Sequence, residues 1–324
     1  MKTLRIICLV ISLMLFMGVL AGCDVQSTES NAPETSSEIS EEQSMDEEIK
    51  LPFTADELNA HKELPIWEEG NVPYAMDETV PVIVPYLVEG SRSCVVIFPG
   101  GGYFQRTDKE EGSMVAEGYN AKGISAFVVH YRYKPYEGDA ILSDATRAIQ
   151  YVRYYSEAFG IDDDKIAVIG FSAGGHLAVM TCQHDSDHSI DDEISLESSR
   201  PNACMLLYAV TTLGDGTFMG AGNSSMPEIF LGENKDNKNL IDKYSYYNDI
   251  NAMPDTFIAY TNKDTFVDYK KNSIALADAL EAAGKNVVIK EYTDGTHGLG
   301  LGAVYADYSK WHDESIRFLE DSFK

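Results

Sequence analysis

After residue 80 the chain alternates between short apolar segments and longer segments with helical periodicity. Seven apolar segments of five to nine residues have the composition of buried strands, at residues 80–88, 94–98, 124–129, 165–169, 203–208, 256–260 and 287–292. Helix-like segments occupy residues 110–122, 139–159, 173–182, 270–283 and 304–323. Because parallel strands need long crossovers, usually helical, the alternation predicts an α/β fold with a mostly parallel central sheet and helices on both faces.

One stretch interrupts the alternation. Residues 211–253 contain many Gly, Asn, Asp and Tyr and show no sustained periodicity. An irregular segment of this length is typically a lid, a binding surface or a disordered loop. We therefore expect one domain over residues 51–324 that carries an irregular insertion.

The first 22 residues have the features of a signal peptide. Lys2 and Arg5 precede an almost wholly apolar run over residues 6–20, which is short for a membrane span. The string Leu-Ala-Gly-Cys that ends at Cys23 resembles a bacterial lipobox. That resemblance implies cleavage before Cys23 and lipid attachment to it. The alternative is an ordinary secretory signal with an incidental cysteine.

Residues 23–50 are rich in Ser, Glu, Asp and Gln and have almost no large apolar side chains. Such a segment cannot bury enough surface to offset its ordering entropy, so we expect an acidic flexible tether. The formal net charge of −27 argues against a nucleic-acid partner, which requires neutralisation of phosphates. The N-terminal features predict an extracytoplasmic lipoprotein anchored in the membrane or, alternatively, a secreted protein.

Three cysteines fall within the predicted domain: Cys94, Cys182 and Cys204. Their number is odd and each lies in an apolar segment, which favours buried free thiols over a disulfide framework. One pair could form in an oxidising compartment, and the sequence does not select it.

The string Gly170-Phe171-Ser172-Ala173-Gly174 fits the pattern G-x-S-x-G. It lies where a predicted strand ends and a predicted helix begins, which is the context of a nucleophile elbow. In that turn the glycines allow the strand and helix backbones to approach closely, and the serine lies at the positive end of the helix. Ser172 is therefore the candidate nucleophile. The alternative is an inert serine in a glycine-rich turn.

A nucleophilic serine needs a base, and His297 is the best placed of the seven histidines. It follows the last predicted strand in a Gly-rich loop, at the carboxyl edge of the sheet where ligands bind in such folds. His184 and His188 have a spacing compatible with metal binding, but no third ligand accompanies them, and we predict no metal. The remaining histidines are His61, which precedes the core, His130 at a strand end, His176, expected to pack locally, and His312, expected to be exposed.

The base needs a carboxylate to orient it. Asp264 follows the strand predicted over residues 256–260, and the resulting chain order Ser, Asp, His is the order of this type of site. Asp268 is an alternative, but it is placed to cap the next helix. Asp294, three residues before His297, is a weaker alternative.

Donors for an oxyanion are predicted in Phe98-Pro-Gly-Gly-Gly-Tyr103, directly after an early strand. The three glycines allow backbone N–H groups to approach a ligand closely. Together with the amide of Ala173 they could hold a developing negative oxygen.

With these strings, the chain resembles the α/β-hydrolase superfamily over about residues 80–324. More narrowly, it resembles the bacterial acetyl esterase, acetylxylan esterase and feruloyl esterase group. The resemblance implies a serine esterase of short-chain esters, acting on a small ester or an acylated carbohydrate without metal or cofactor. It implies Ser172 as nucleophile, His297 as base and acid, and Asp264 as the partner of the histidine. The implied oxyanion hole consists of Gly101, Gly102 and Ala173.

The chain departs from the family pattern at two places. Pro99 stands where related enzymes have a histidine, and no proline follows Val267. Two other functions stay open at this point. A peptidase of the prolyl oligopeptidase type has the same triad but usually carries a propeller domain, for which this chain is too short. A non-catalytic surface binding protein on the same scaffold would have no need of the triad.

Overall fold

The computed structural model describes residues 51–185, 190–214 and 225–324. Four features predicted from the sequence lie outside the described residues: the signal peptide, Cys23, the tether and His188. Residues 215–224 of the predicted insertion also lie outside them. No helix within the described ranges is long and apolar enough to cross a membrane.

A single sheet of eight strands forms the centre of the described domain. Its strands are β1 (Leu64–Pro65), β2 (Val82–Tyr86), β3 (Cys94–Phe98), β4 (Ser125–His130), β5 (Ile166–Phe171), β6 (Ala203–Leu207), β7 (Asp255–Thr261) and β8 (Val287–Tyr292). The spatial order is β1-β2-β4-β3-β5-β6-β7-β8. β2 is antiparallel to both of its neighbours, and β3 to β8 are all parallel. The prediction of a mostly parallel sheet is confirmed.

Nine α-helices lie in the described residues. They are α1 (Ala55–Asn59), α2 (Met114–Asn120), α3 (Gly138–Tyr154), α4 (Ser156–Phe159), α5 (Ala173–Gln183), α6 (Met226–Leu231), α7 (Lys238–Lys243), α8 (Ala275–Ala282) and α9 (Lys310–Ser322). α3, α5 and α8 contribute to the core on one face of the sheet, and α2 and α9 to the core on the other. Because side chains alternate along a strand, Val95 and Ile97 enter one core while Val96 and Phe98 enter the other.

Several predicted boundaries are wrong. The helix predicted over residues 139–159 is interrupted at Tyr155, where the break allows Phe159 to stack on Phe53 with ring centroids 5.1 Å apart. The last helix begins at Lys310 instead of residue 304, because the Asp294 carboxylate holds the preceding turn by accepting backbone N–H bonds from it.

Two further differences concern segments near the carboxyl edge of the sheet. The residues before α2 form a wider π-helical turn, Asp108–Ser113. The predicted irregular insertion contains α6 and α7, so it is partly helical. Ser225 and Asn237 cap these helices through their side chains, and α6 buries apolar residues such as Phe230.

Candidate active site

Ser172 lies in a strained turn between β5 and α5. Its φ of 52° and ψ of −116° are unusual for a residue with a side chain, and such strain persists only where the surroundings impose it. The surroundings here are backbone. A Cβ added at Gly174 would lie 2.0 Å from the carbonyl oxygen of Phe98, and one added at Gly170 would lie 2.2 Å from that of Gly174. The glycines are thus required for the close approach of strand and helix.

The structure brings the three predicted side chains together. The Ser172 Oγ lies 2.8 Å from Nε2 of His297, and Nδ1 of the same ring lies 2.7 Å from Oδ2 of Asp264. The Asp264 side chain is 1% exposed and that of His297 is 13% exposed, so water has little access to the pair. This continuous chain of hydrogen bonds can move a proton from a serine hydroxyl to an imidazole.

The three candidate carboxylates have different positions. The second oxygen of Asp264 accepts the backbone N–H groups of Phe266 and Val267, which fixes the carboxylate toward His297. Asp268 accepts the N–H groups of Lys270 and Lys271 at the start of a helical turn, as expected of a cap. Asp294 supports the turn before α9.

Two aromatic rings pack against His297. The ring of Tyr208 is 4.8 Å from the imidazole centroid, and the ring of Phe266 is 5.6 Å from it in a stacked arrangement. Tyr208 is buried, whereas Phe266 is 47% exposed. The rings limit the directions in which the imidazole can turn.

The glycine-rich segment after β3, residues 99–102, is named the oxyanion loop here. Gly101 and Gly102 have φ values of 125° and 65°, which favour glycine. A Cβ added at Gly100 would lie 3.1 Å from Cβ of Ser172, so the loop packs against the elbow. Ala173 is the first residue of α5, where backbone N–H groups have no partner within the helix. The predicted donors are thus in segments that adjoin the serine.

The other described histidines bond elsewhere. His176 is fully buried, its Nδ1 lies 2.9 Å from the Tyr103 hydroxyl and its Nε2 lies 2.9 Å from the carbonyl oxygen of Tyr244. Burial lowers the pKa of His176 to about 4.

His312 packs its ring against Tyr119 and is half-buried, so the expectation that it is exposed is wrong. The ring nitrogens of His61, His130 and His184 face Pro85, Glu63 and Lys243, respectively.

Cys94, Cys182 and Cys204 are buried free thiols, in agreement with the simpler prediction. The described residues contain no group of three or more His, Cys, Asp or Glu side chains that could hold a metal ion.

Sequence reasoning missed two buried residues of the site, Glu111 and Tyr208. The Tyr208 hydroxyl donates to Glu111 at 2.6 Å and accepts the backbone N–H of Gly300 at 3.0 Å. A signal for Glu111 was present, because it shares a buried helical stripe with Val115 and Tyr119 at intervals of four residues. An acidic residue in such a stripe is unusual and indicates a buried polar contact.

Comparisons with known proteins agree with this architecture. The model of the BD-FAE family matches residues 81–280. An acetylxylan esterase of Xylanibacter ruminicola is 29% identical over 253 residues, which cover 76% of this chain and 49% of that protein. Endo-1,4-beta-xylanase B of Butyrivibrio fibrisolvens is 29% identical over 245 residues, covering 72% of this chain and 37% of that protein. The chain therefore spans about half the length, or less, of these curated relatives.

Solved structures extend the comparison. The acetyl ester-xyloside bifunctional hydrolase from Caldicellulosiruptor lactoaceticus is 34% identical with a TM-score of 0.73, over 81% of this chain and 96% of that one. The butyrate-bound esterase of Thermogutta terrifontis is 22% identical with a TM-score of 0.66, over 82% and 95% of the two chains, and shows the shared fold. Together with the strand order, these similarities confirm the α/β-hydrolase fold.

Proposed function

The chain belongs to the BD-FAE family, and from this premise we propose that it is a carboxylic ester hydrolase whose nucleophile is Ser172. The observation that carries the proposal is the continuous hydrogen-bond chain from Ser172 through His297 to Asp264. The esterases among its relatives support the same reaction class.

The reaction proceeds in two halves. The Ser172 Oγ attacks the ester carbonyl carbon while Nε2 of His297 takes the hydroxyl proton and Asp264 holds the imidazole in orientation. Backbone N–H groups of Gly101, Gly102 and Ala173 stabilise the negative oxygen of the tetrahedral intermediate. His297 then gives the proton to the leaving alcohol, which leaves an acyl group on Ser172. A water molecule repeats the sequence, releases the acid and restores the serine.

The substrate we propose is an acetyl ester on a carbohydrate of the xylan type. Support comes from the acetylxylan esterase of X. ruminicola and from the C. lactoaceticus hydrolase, whose names include acetyl ester substrates. A xylan ester presents a small acyl group and a large sugar alcohol, so the sugar needs a surface of its own beside the reacting atoms.

A cavity of about 460 Å³ between the β4–α3 connection and helices α6 and α7 has suitable chemistry for a sugar ring. Its lining includes Tyr74 and the carboxylates of Glu137 and Asp139. Tyrosine rings contact the apolar faces of sugars, and carboxylates accept their hydroxyl groups. The lining of the cavity includes no residue of the triad or of the oxyanion loop. The two are linked by packing, because the ring of Phe230 in the lining lies 5.1 Å from that of Tyr103, the residue that follows the oxyanion loop.

The reaction class is tested by hydrolysis of p-nitrophenyl acetate, butyrate and octanoate. We expect turnover of the shorter esters and a fall of at least about 10⁴-fold in kcat for Ser172→Ala. Ser143→Ala, which removes a buried hydroxyl that bonds within α3, is the matched control and should retain activity. Equal activity of Ser172→Ala and the wild type would reject this mechanism.

The substrate class is tested with acetylated xylo-oligosaccharides. Tyr74→Ala should raise KM for these substrates several-fold and leave p-nitrophenyl acetate unaffected. Tyr247 is a suitable control because it is 46% exposed, close to the 44% of Tyr74, and does not line the cavity. If Tyr74→Ala and Tyr247→Ala behave alike on both substrates, the sugar does not use this cavity.

We also propose that the enzyme is a membrane-anchored lipoprotein of the cell exterior. The support is in the sequence alone, in the apolar run and the Leu-Ala-Gly-Cys string that ends at Cys23. Cys23→Ala should block lipid attachment in a bacterial host and move the protein out of the membrane fraction or leave the precursor uncut. Cys8→Ala, within the segment to be removed, is the control. An unchanged lipid label on Cys23→Ala would contradict the anchor.

A further inference from the structure

The carboxylate of Glu111 is buried behind the oxyanion loop. The residue is 2% exposed, and no ion pair in the described part of the chain includes it. A buried carboxylate without a cation is costly unless hydrogen-bond donors satisfy it. The reaction described above gives this carboxylate no role.

Three donors on different segments satisfy Glu111. Its Oε2 accepts the backbone N–H of Gly100 at 2.8 Å and the Thr107 hydroxyl, and its Oε1 accepts the Tyr208 hydroxyl at 2.6 Å. Gly100 belongs to the oxyanion loop, whereas Tyr208 directly follows β6. One side chain therefore joins the two sides of the candidate active site.

The contact with Tyr208 extends to the histidine. The Tyr208 oxygen accepts the N–H of Gly300, three residues after His297, and its ring packs on the imidazole. Burial, together with the Glu111 charge, raises the pKa of Tyr208, which keeps the phenol protonated as the donor in this bond. Residues 293–302, named the histidine loop here, are thereby connected through Tyr208 to Glu111.

The contact with Gly100 extends to the serine. A Cβ added at Gly100 would lie 2.6 Å from Oε2 of Glu111 and 3.1 Å from Cβ of Ser172. Gly100 therefore separates the Glu111 carboxylate from the elbow at this point. By accepting the N–H of Gly100, the carboxylate holds the Pro99–Gly100 peptide, which directly precedes Gly101 and Gly102.

We propose that Glu111 is a positioning residue that fixes the oxyanion loop and the histidine loop relative to each other during acyl transfer. The proposal rests on the serine esterase function above. It follows that a change at Glu111 lowers the rate of bond formation at Ser172 more than it weakens substrate binding, since small misplacements of catalytic groups have large effects on rate.

The variant that tests this is Glu111→Gln, which keeps the side-chain volume but presents an amide N–H to one of the three donors. We expect kcat for p-nitrophenyl acetate to fall on the order of 10- to 100-fold, with KM within about twofold of the wild type. The rate of covalent labelling of Ser172 by a fluorophosphonate should fall by a similar factor. Glu110→Gln is the matched control, because Glu110 is the adjacent residue, carries the same charge and is exposed.

A double-mutant cycle tests whether Glu111 acts through Tyr208. If it does, Glu111→Gln combined with Tyr208→Phe costs little more in kcat than the larger single effect, since both remove one connection. If the two single effects on kcat multiply in the double variant, Glu111 does not act through Tyr208, and the proposed connection to the histidine loop is wrong. If Glu111→Gln does not fold, Tyr208→Phe and Thr107→Val each remove one donor and must lower kcat without a matching rise in KM.

Other outcomes separate this proposal from the proposed function. If Glu111→Gln has the kcat and the labelling rate of the wild type, the positioning role is wrong and the esterase function stands. The same conclusion holds if the variant has a lower melting temperature but unchanged kcat and labelling rate. A wild type without ester turnover would overturn the esterase, and the labelling rates would then decide the role of Glu111. A wild type that shows neither turnover nor labelling of Ser172 would overturn both.

Discussion

The elbow and the histidine loop meet at one edge of the sheet, but they are held in different ways. The elbow is held by backbone: the Ser172 N–H donates to the Leu207 carbonyl at 3.1 Å, and glycines allow main chains to touch. The histidine loop is held mainly by side chains, including Asp294 and the indole of Trp311, which donates to the Gly300 carbonyl at 3.1 Å. We therefore expect changes at the glycines of the elbow to reduce the stability of the fold, whereas changes around the histidine reduce turnover.

Among the changes that test this difference, the largest expected effect is on the histidine side. Asp264→Asn should lower kcat by about 10³- to 10⁴-fold, because the amide favours the wrong imidazole tautomer. The melting temperature should change little, since the remaining oxygen can still accept the N–H groups of Phe266 and Val267. Steady-state kinetics and thermal unfolding measure the two quantities. Asp268→Asn is the control, as asparagine also caps helices; equal kcat values for the two variants would refute the Asp264 assignment.

The elbow should respond in the opposite way. Gly174→Ala places a methyl group 2.0 Å from the Phe98 carbonyl oxygen, and we expect a loss of at least about 4 kcal/mol in unfolding free energy. Urea denaturation measures it. Gly138→Ala is the control because its nearest neighbour would be 3.6 Å away, and its stability should stay within about 1 kcal/mol of the wild type. Wild-type stability in Gly174→Ala would break the contrast between the two segments.

Acid should also lower the free energy of unfolding, through a histidine on the helix of the elbow. Burial lowers the pKa of His176, on the elbow helix α5, to about 4, whereas the unfolded value is near 6.5. The unfolded chain therefore binds more protons between these values, so the stabilisation is complete above pH 6.5 and is lost as the pH falls toward 4. The loss amounts to about 3 kcal/mol. Unfolding free energies from pH 7 to 4 should show a flatter slope for His176→Gln than for the wild type and for the control His61→Gln. Parallel slopes in all three proteins would contradict the assignment.

The smallest expected effect concerns the exposed ring over the histidine. Phe266→Ala removes the ring 5.6 Å from His297 and should lower kcat/KM by roughly fivefold, the value of an aromatic contact of about 1 kcal/mol. Leu196→Ala, at a residue that is 80% exposed, is the control for loss of surface apolar area. A fall of 10³-fold would mean that Phe266 does more than restrict the imidazole, and no change would mean that Phe266 does not help to orient it.

The same contrast explains what could be predicted from the sequence. The elbow is local: its strand, its serine and its glycines lie in one short string, and periodicity on either side supplies the context. Asp264 and His297 are distant in sequence, but each follows a strand of a parallel sheet, so topology alone predicts one common edge. The strand order and the positions of these residues after their strands agree with that reasoning.

The supports of the histidine could not be predicted in this way. Glu111 bonds to Gly100, Thr107 and Tyr208, and nothing in the sequence pairs an acid in a predicted helix with a tyrosine 97 residues away. The wide turn over Asp108–Ser113 also has no known sequence signature here, although it orients Glu111. The sequence places the start of α9 six residues before Lys310 for a similar reason. The backbone N–H groups that precede the helix donate to Asp294, which belongs to a separate loop.

The position of β6 between β5 and β7 has a consequence for redesign of this enzyme. The chain leaves the reaction centre at Tyr208, makes its long excursion through α6 and α7, and returns at β7. The excursion supplies none of the three side chains of the hydrogen-bonded chain. It can therefore be exchanged as a module from a relative, between residue 213 and the start of β7, to alter the sugar or acyl group that is accepted, if the replacement keeps a carbonyl at the position of Tyr244 to accept from Nε2 of His176. The serine, the histidine and their supports would keep the coordinates that chemistry requires.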